Sequence, residues 1–567
     1  MQKTRFSEIV FLLLFPLFVA LLISNIGFLL GYPIQKYYYP VSFIFSCIVY
    51  GILIKPIPSR FIKNIFISIG IILISLLISG YFYDLSSDGQ SYHQGGIILL
   101  KESWNPVFED HAQAGIWIKH YPKGIETLQA ILYILTGRIE VGKAINLLLI
   151  VCSFLLAYVC LVRLNLKKYK AYIYAFLIAA NPVNLYQMFT FYIDGVFYSA
   201  LVCMICSFIL IMLDKKSIYY LILSGSIVIA LSVKFTSIPV VGILLVFMLI
   251  FLLIKKRFPE FKNTLIICSL TGFICFPITN FNPYITNLME GKHVFYPLMG
   301  DNSLDIITPF VPEYFNDLNR FEKFTISLFS KSGQIGDGKD ILKVPFTVHK
   351  KELNRLADSD IGVGGFGVFY SGIIILTLIL MVFFFIRDKL SSVQKSVSFF
   401  IFILLISVFI IPEPFWFRYI PHFYLIPILL LLIVELSGGG SFIKNIYKKS
   451  LSVILFFYFL NLTLILMAVL IVNIYNTEKI DYQFVQIKSR DKIIKVECFN
   501  FSSNLIRLKE HNISYEKFTF KEGDKYFYLS PPYKEGVGTK IEYFEFDPKK
   551  EKGFLYFWFD KVFAIVK

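Results

Sequence analysis

Charge is scarce in this sequence. Of its 567 residues only 17% are Asp, Glu, Lys or Arg, against 56% hydrophobic, and mean hydropathy is +0.67. A chain this poor in charge cannot keep a solvated surface along its whole length. That excludes a soluble globular protein and points to a polytopic integral membrane protein. Cysteine lacks any useful pattern. Eight are present, none at metal-ligand spacing; Cys203 and Cys206 lie three apart on one apolar helix face, and Cys498 stands alone in a polar tail. A disulfide framework and a zinc site are thereby excluded. No small-x-small cleavage site follows the first apolar run, so it reads as an uncleaved first helix although Lys3 and Arg5 precede it. Internal repeats and low-complexity segments are missing too.

What is present is a succession of apolar runs long enough to cross a bilayer. They fall at about 8–31, 39–55, 64–83, 139–163, 172–190, 196–213, 218–235, 238–254, 263–281, 366–386, 396–412, 419–436 and 451–474, which makes about thirteen. The net charge of +16 resembles a nucleic-acid signal, but many of the cations sit in short loops between these runs, where they report topology; no nucleic-acid partner is expected. With the N-terminus in the cytoplasm, Lys55/Arg60/Lys63, Lys167/Lys168/Lys170, Lys215/Lys216, Lys255/Lys256/Arg257, Arg387/Lys389 and Lys444/Lys448/Lys449 all fall inside. The long loops at about 84–138 and 282–365, and the tail 475–567, then lie outside the cytoplasmic (inner) membrane.

The expected fold is an all-α polytopic bundle, residues 1–474, with large extracytoplasmic loops and a small, mostly β extracytoplasmic domain at 475–567. The segments 495–499, 526–529 and 554–559 are short aromatic and β-branched runs between Gly, Pro and Lys clusters, which is a strand signature. The stretch 124–136 is apolar but short of a span, and its Glu126 and Gln129 suit a helix lying in the outer interface or re-entering from it. Gly438, Gly439 and Gly440 read as a flexible cytoplasmic connection.

Ionisable groups inside or at the ends of spans are costly, so they are usually paired or functional. Asp194 and Lys234 end two successive hairpins on the outer side, while Arg418 and His422 begin a span there. At the same level Asp84 and Asp88 open the first outer loop, followed by Tyr92 and His93. Asn282, Tyr284 and Asn287 open the second, with His293 and Tyr296 close behind. Cations and carboxylates delivered to one membrane depth suit group transfer from a lipid-linked donor. Lys234 and Arg418, with His422, would bind the phosphate and stabilise charge on the leaving group, and Asp88 would take the proton of an acceptor hydroxyl. Gly89 permits a tight turn that would hold that carboxylate clear of the helix. Asp84, Tyr92 and His93 are candidates for the acceptor side, and Asp194, Asn282, Tyr284, Asn287, His293 and Tyr296 for support. The outer aromatics offer ring faces on which sugars stack.

The strings Asp88-Gly89-Gln90-Ser91-Tyr92-His93, Tyr121-Pro122-Lys123-Gly124, Asn282-Pro283-Tyr284-Ile285-Thr286-Asn287 with His293 and Tyr296-Pro297, Gly364-Gly365-Phe366-Gly367, and Trp416-Phe417-Arg418-Tyr419 resemble motifs of the GT-C integral-membrane glycosyltransferases. That superfamily includes the lipid A aminoarabinose transferases and the protein O-mannosyltransferases. The resemblance covers about residues 64–436. It implies a polyprenyl-phosphate sugar donor, a glycan, lipid or polymer of the cell envelope as acceptor, inversion by direct displacement, Asp88 as base, and Lys234 or Arg418 on the phosphate. This chain differs in placing its acidic loop after the third span rather than the first, and in having Asp84 and Asp88 four apart instead of an adjacent acidic pair.

Plainer roles compete for the same residues. Asp88 would serve as a helix N-cap, and Asp84 as a solvated helix end. Asp194 and Lys234 would form an interhelical ion pair, and Arg418 would snorkel to headgroups. The run 364–367 reads as a loop-to-helix turn before a phosphate cradle. No cofactor is required, and a divalent metal held by Asp84, Asp88 and His93 stays open, since the histidines lack metal-ligand spacing. Two other functions also stay open: an O-antigen or capsule polymerase or ligase using a lipid-diphosphate oligosaccharide, and a transporter or flippase of lipid-linked glycans.

Overall fold

A computed structural model describes residues 2–567 except 306–308, 310, 334–340, 438–440, 499–500, 530–537, 548–552, 554–555 and 558–567. Among the described residues nine helices are long and apolar enough to span a membrane, and the chain is a multi-pass membrane protein. Tyr38–Ile54, Ser217–Leu231 and Pro421–Glu435 are shorter apolar helices at expected spans. The run expected at 172–190 is broken into Lys168–Ala179 and Pro182–Gln187. Asn181 stands at the break, and its side chain caps the second piece by accepting from the Val183 N–H at 2.8 Å, while Pro182 cannot continue the first.

Helix Gly124–Thr136 is not laid on a membrane surface. Gly124 to Tyr133 are buried, packed on helix Gln94–Lys101 and on the short turn Ile139–Lys143. At the opposite end of the bundle a buried acid ties the first three helices together. Glu8 accepts from Tyr50 Oη (2.8 Å), Asn64 Nδ2 (2.8 Å) and Arg60 Nη2 (2.6 Å), so its charge is both paired and solvated by the protein. The Gly438–Gly440 connection lies outside the described residues.

The last membrane-length helix among the described residues, Ser441–Lys488, runs without interruption through the expected domain boundary at 475. Beyond it β1 (Ile494–Cys498), β2 (Tyr515–Lys517), β3 (Tyr526–Tyr528) and β4 (Thr539–Glu542) form one sheet in the order β2-β1-β4-β3. β1 and β2 are parallel, joined by helix Ser503–Glu510 as a parallel pair requires, and β4 is antiparallel to both neighbours. Of the aromatic run 554–559 only Tyr556 and Phe557 are described. The apolar core of this small domain is shared. Val496, Leu508 and Ile541 of the domain pack with Ile480, Phe484 and Ile487 of the long helix and with Tyr83 from the loop after the third helix.

Candidate active site

Arg418 is the centre of a charge cluster at the end of the bundle that carries segments 84–138 and 282–365. Its Nε lies 2.9 Å from Asp360 Oδ1, and its Nη1 lies 3.3 Å from Asp88 Oδ2 and 3.6 Å from Asp194 Oδ2. Asp194 also pairs with Lys234 and accepts from Gln187 Nε2 at 3.0 Å. As the first residue of helix Asp194–Asp214, its carboxylate is further favoured by the helix N-terminus. Five separate segments thus bring three carboxylates and two cations together. The guanidinium lies 4.7 Å from the Trp416 ring centroid and 5.0 Å from those of Tyr192 and Tyr419, and Lys234 Nζ lies 5.1 Å from Tyr419. Ring faces stabilise cations that water reaches poorly.

The five groups differ in access. Asp194 and Lys234 side chains are almost fully buried, whereas Asp88 is 28% exposed and so is the carboxylate that a solute meets first. Asp88 makes no capping bond to the turn that follows it. Asp360 is held up at about 6, above the usual carboxylate range, mainly by burial; the charges of Asp88, Asp358 and Asp194 add to the rise and Arg418 opposes it.

Of the residues read from sequence, Asp88, Asp194, Lys234 and Arg418 converge. Asp84 does not. It is fully buried, accepting from the Phe191 and Ser86 N–H groups at 2.8 Å each, and it belongs to a second cluster with Glu140, Lys143 and Arg507. It is therefore neither a solvated helix end nor a second acceptor carboxylate. Gly89 is needed for a reason other than a turn: its φ is ordinary, but a Cβ there would stand 2.0 Å from Asp84 Oδ2. His93 pairs with Glu126, Nδ1 to Oε1 2.6 Å, both side chains buried. Asp84, Asp88 and His93 do not converge as metal ligands, and among the described residues no three of His, Cys, Asp and Glu are grouped to hold a metal ion. His422 is fully buried in the first turn of its helix and makes no ion pair among the described residues.

Asn282, Asn287 and Tyr296 of the second loop stitch the two loops together instead of facing Arg418. Asn282 Nδ2 donates to the Pro106 carbonyl at 3.0 Å and the Lys119 carbonyl at 3.2 Å. Asn287 Oδ1 lies 2.8 Å from His120 Nδ1, and its Nδ2 donates to the Tyr296 carbonyl at 3.0 Å. Tyr296 sits edge-on to His120, Tyr284 packs edge-on to Phe235, and His293 Nδ1 accepts from the Phe295 N–H. The glycine run is a turn into helix Tyr370–Arg387. Gly364 and Gly367 have φ of +63° and +95°, and a Cβ at Gly367 would meet Asn461 at 2.5 Å.

Tyr92 continues from the charge cluster into an aromatic wall: Trp117 is 6.5 Å from it and 6.0 Å from Tyr121, which meets Phe235. Tyr92 and Trp117 also line a cleft of about 1160 Å³ between the first loop and the C-terminal sheet, whose far side carries Phe518, Lys509 and Lys517.

No protein-family model matches the chain, and neither does any curated protein. Among solved structures it is similar to the crystal structure of ArnT from Cupriavidus metallidurans in the apo state, at 10% identity over 80% of this chain and 85% of that one, with a TM-score of 0.43.

Proposed function

We propose that this chain is a membrane glycosyltransferase that moves a sugar from a polyprenyl-phosphate donor to a cell-envelope glycan, lipid or polymer on the outer face of the cytoplasmic membrane. The observation that carries it is the pairing of the partly exposed Asp88 with an aromatic-faced Arg418. Arg418 already has three carboxylate partners, so an incoming phosphate must displace one of them. Asp88 is the most exposed of the three, whereas Asp194, though 3.6 Å away, is buried and also held by Lys234. Donor binding at Arg418 and Lys234 then frees the Asp88 carboxylate at the moment a base is required.

In the reaction the acceptor hydroxyl gives its proton to Asp88 as its oxygen bonds to the anomeric carbon. The bond from that carbon to the phosphate oxygen breaks, inverting the centre, and polyprenyl phosphate leaves with its new charge beside Arg418 and Lys234. The acceptor reaches Asp88 along the cleft past Tyr92 and Trp117, whose rings suit sugar faces.

The test is transfer of radiolabelled sugar from a panel of polyprenyl-phosphate donors by wild type and Asp88→Asn, with donor binding measured in parallel. Retained binding with transfer lowered about 10²- to 10⁴-fold in the variant is expected of a general base. An active Asp88→Asn with an inactive Arg418→Ala would favour a polymerase or ligase using a lipid-diphosphate oligosaccharide. Translocation of the lipid-linked glycan without transfer would establish a transporter.

A further inference from the structure

A second cavity lies far from Asp88, at the end of the bundle where the short basic loops collect. Its volume is about 440 Å³, and six helices wall it, contributing Leu161, Ile178, Ile209, Phe247, Ile403 and Leu432 among others. Such a wall has too few polar groups to hold ordered water. The cavity opens beside Lys255, Arg257, Ser392 and Ser396. From Ser392 to Ile403, along helix Ser392–Phe409, it spans about 16 Å at the α-helical rise, roughly half the 30 Å hydrocarbon thickness.

We infer that this crevice is a lipid site that takes one acyl chain of an anionic glycerophospholipid, with the phosphate seated at Lys255 and Arg257. Depth is the first reason, because one leaflet is the reach of one acyl chain. Charge is the second. Lys255 is exposed at the rim, and Arg257 lies 3.5 Å from Glu260, whose closer partner is Lys215 at 2.7 Å. Lys216 and Lys256 add positive charge at the same loops. An acyl chain gains little by leaving the bilayer for an equally apolar crevice, so selectivity among lipids must come from the headgroup. The cations favour an anionic one. The site stands independently of the transferase reading, since none of its residues belongs to the Arg418 cluster.

The experiment incubates the purified full-length protein with nanodiscs of dioleoyl phosphatidylglycerol or dioleoyl phosphatidylcholine and counts retained lipid by native mass spectrometry after detergent exchange. Wild type is expected to keep one phosphatidylglycerol per chain, at least tenfold in preference to phosphatidylcholine. Replacing Lys255 and Arg257 together by Ala should erase that preference, each cation being worth roughly a fivefold effect at a membrane surface. Ser396→Trp should block the crevice at its rim and abolish retention; should that variant fail to fold, Ile403→Trp shortens the crevice from its deep end and should weaken retention. Equal retention of the two lipids by wild type, retention unchanged in a folded blocking variant, or polyprenyl phosphate displacing phosphatidylglycerol would each overturn the assignment.

Discussion

Arg507 of the C-terminal domain and Glu140 of the bundle form an ion pair in which neither side chain is exposed to any degree, although 367 residues separate them in the chain. The same guanidinium donates to the Asp84 carbonyl at 2.7 Å and to Asn504 Oδ1 at 2.7 Å, and Glu140 also takes Lys143 at 2.5 Å. Asp84 in turn packs on Gly89 and accepts from the Phe191 N–H, so this one cluster braces both the loop that carries Asp88 and the segment that leads to Asp194. Removing Arg507 leaves two buried carboxylates, Asp84 and Glu140, with Lys143 as their shared cation, so Arg507→Met should cost about 3 kcal/mol or more. Thermal unfolding and protease sensitivity of the C-terminal domain check this. Adding Glu140→Leu should restore part of the loss, because Asp84 and Lys143 are then left as one carboxylate and one cation.

Gly89→Ala tests the brace from the other side. A methyl group 2.0 Å from Asp84 Oδ2 and 2.3 Å from Ser86 Oγ cannot fit without moving the turn that holds Asp88. A misplacement of about 1 Å at a reacting group costs on the order of 10²-fold in rate. Transfer by this variant should fall by that factor while donor binding, measured separately, changes little.

Asp360 supplies a pH dependence. Its carboxyl is held at about 6, so it is charged at neutral pH and takes a proton as the medium is acidified through that value. Protonation removes a negative charge 2.9 Å from Arg418. A phosphodiester donor keeps its single charge over this range, so donor affinity should rise as pH falls from 7.5 to 5.5. A tenfold gain would correspond to bound donor raising the Asp360 pKa by about one further unit. Asp360→Asn should bind donor with a flat pH profile, which titration of donor binding by wild type and variant would show.

Lys234 and Asp194 combine a structural and a chemical role that a pair of variants can separate. Asp194→Asn leaves a buried ammonium short of its counter-charge, and about 3 kcal/mol of stability should go with it. Asp194→Asn combined with Lys234→Met should regain much of that stability in thermal unfolding but should bind donor phosphate more weakly than wild type.

The helices were legible because an apolar run of the right length has few alternatives in a membrane, and the basic loops marked one end of the bundle as different from the other. The broken helix at Asn181-Pro182 carried its own signal, since proline after a capping residue starts a new helix. The charge cluster was half legible. Asp194, Lys234 and Arg418 stand out as ionisable groups at the ends of apolar runs, whereas Asp360 sits in a long polar loop beside Asp358, where nothing local separates it from a solvated acid. Asp84 and His93 lie near Asp88 in sequence, yet their side chains are directed to Phe191 and Glu126. Neighbours in a helical turn face different ways, and which one faces the cluster is decided by distant segments. Arg507 was invisible for the same reason, because its partners lie hundreds of residues upstream.

The shared core beneath the sheet sets an order of events during synthesis. Tyr83 is made early, yet its hydroxyl bonds Asp481 Oδ1 and His511 Nε2, and its ring packs in a core whose remaining members are translated last. Domains made on the ribosome tend to fold from the N-terminus onward, but here the first loop must wait for the end of the chain. A nascent protein arrested before helix Ser441–Lys488 would hold its other spans and still lack the partners of Tyr83 that finish the rim around Asp88.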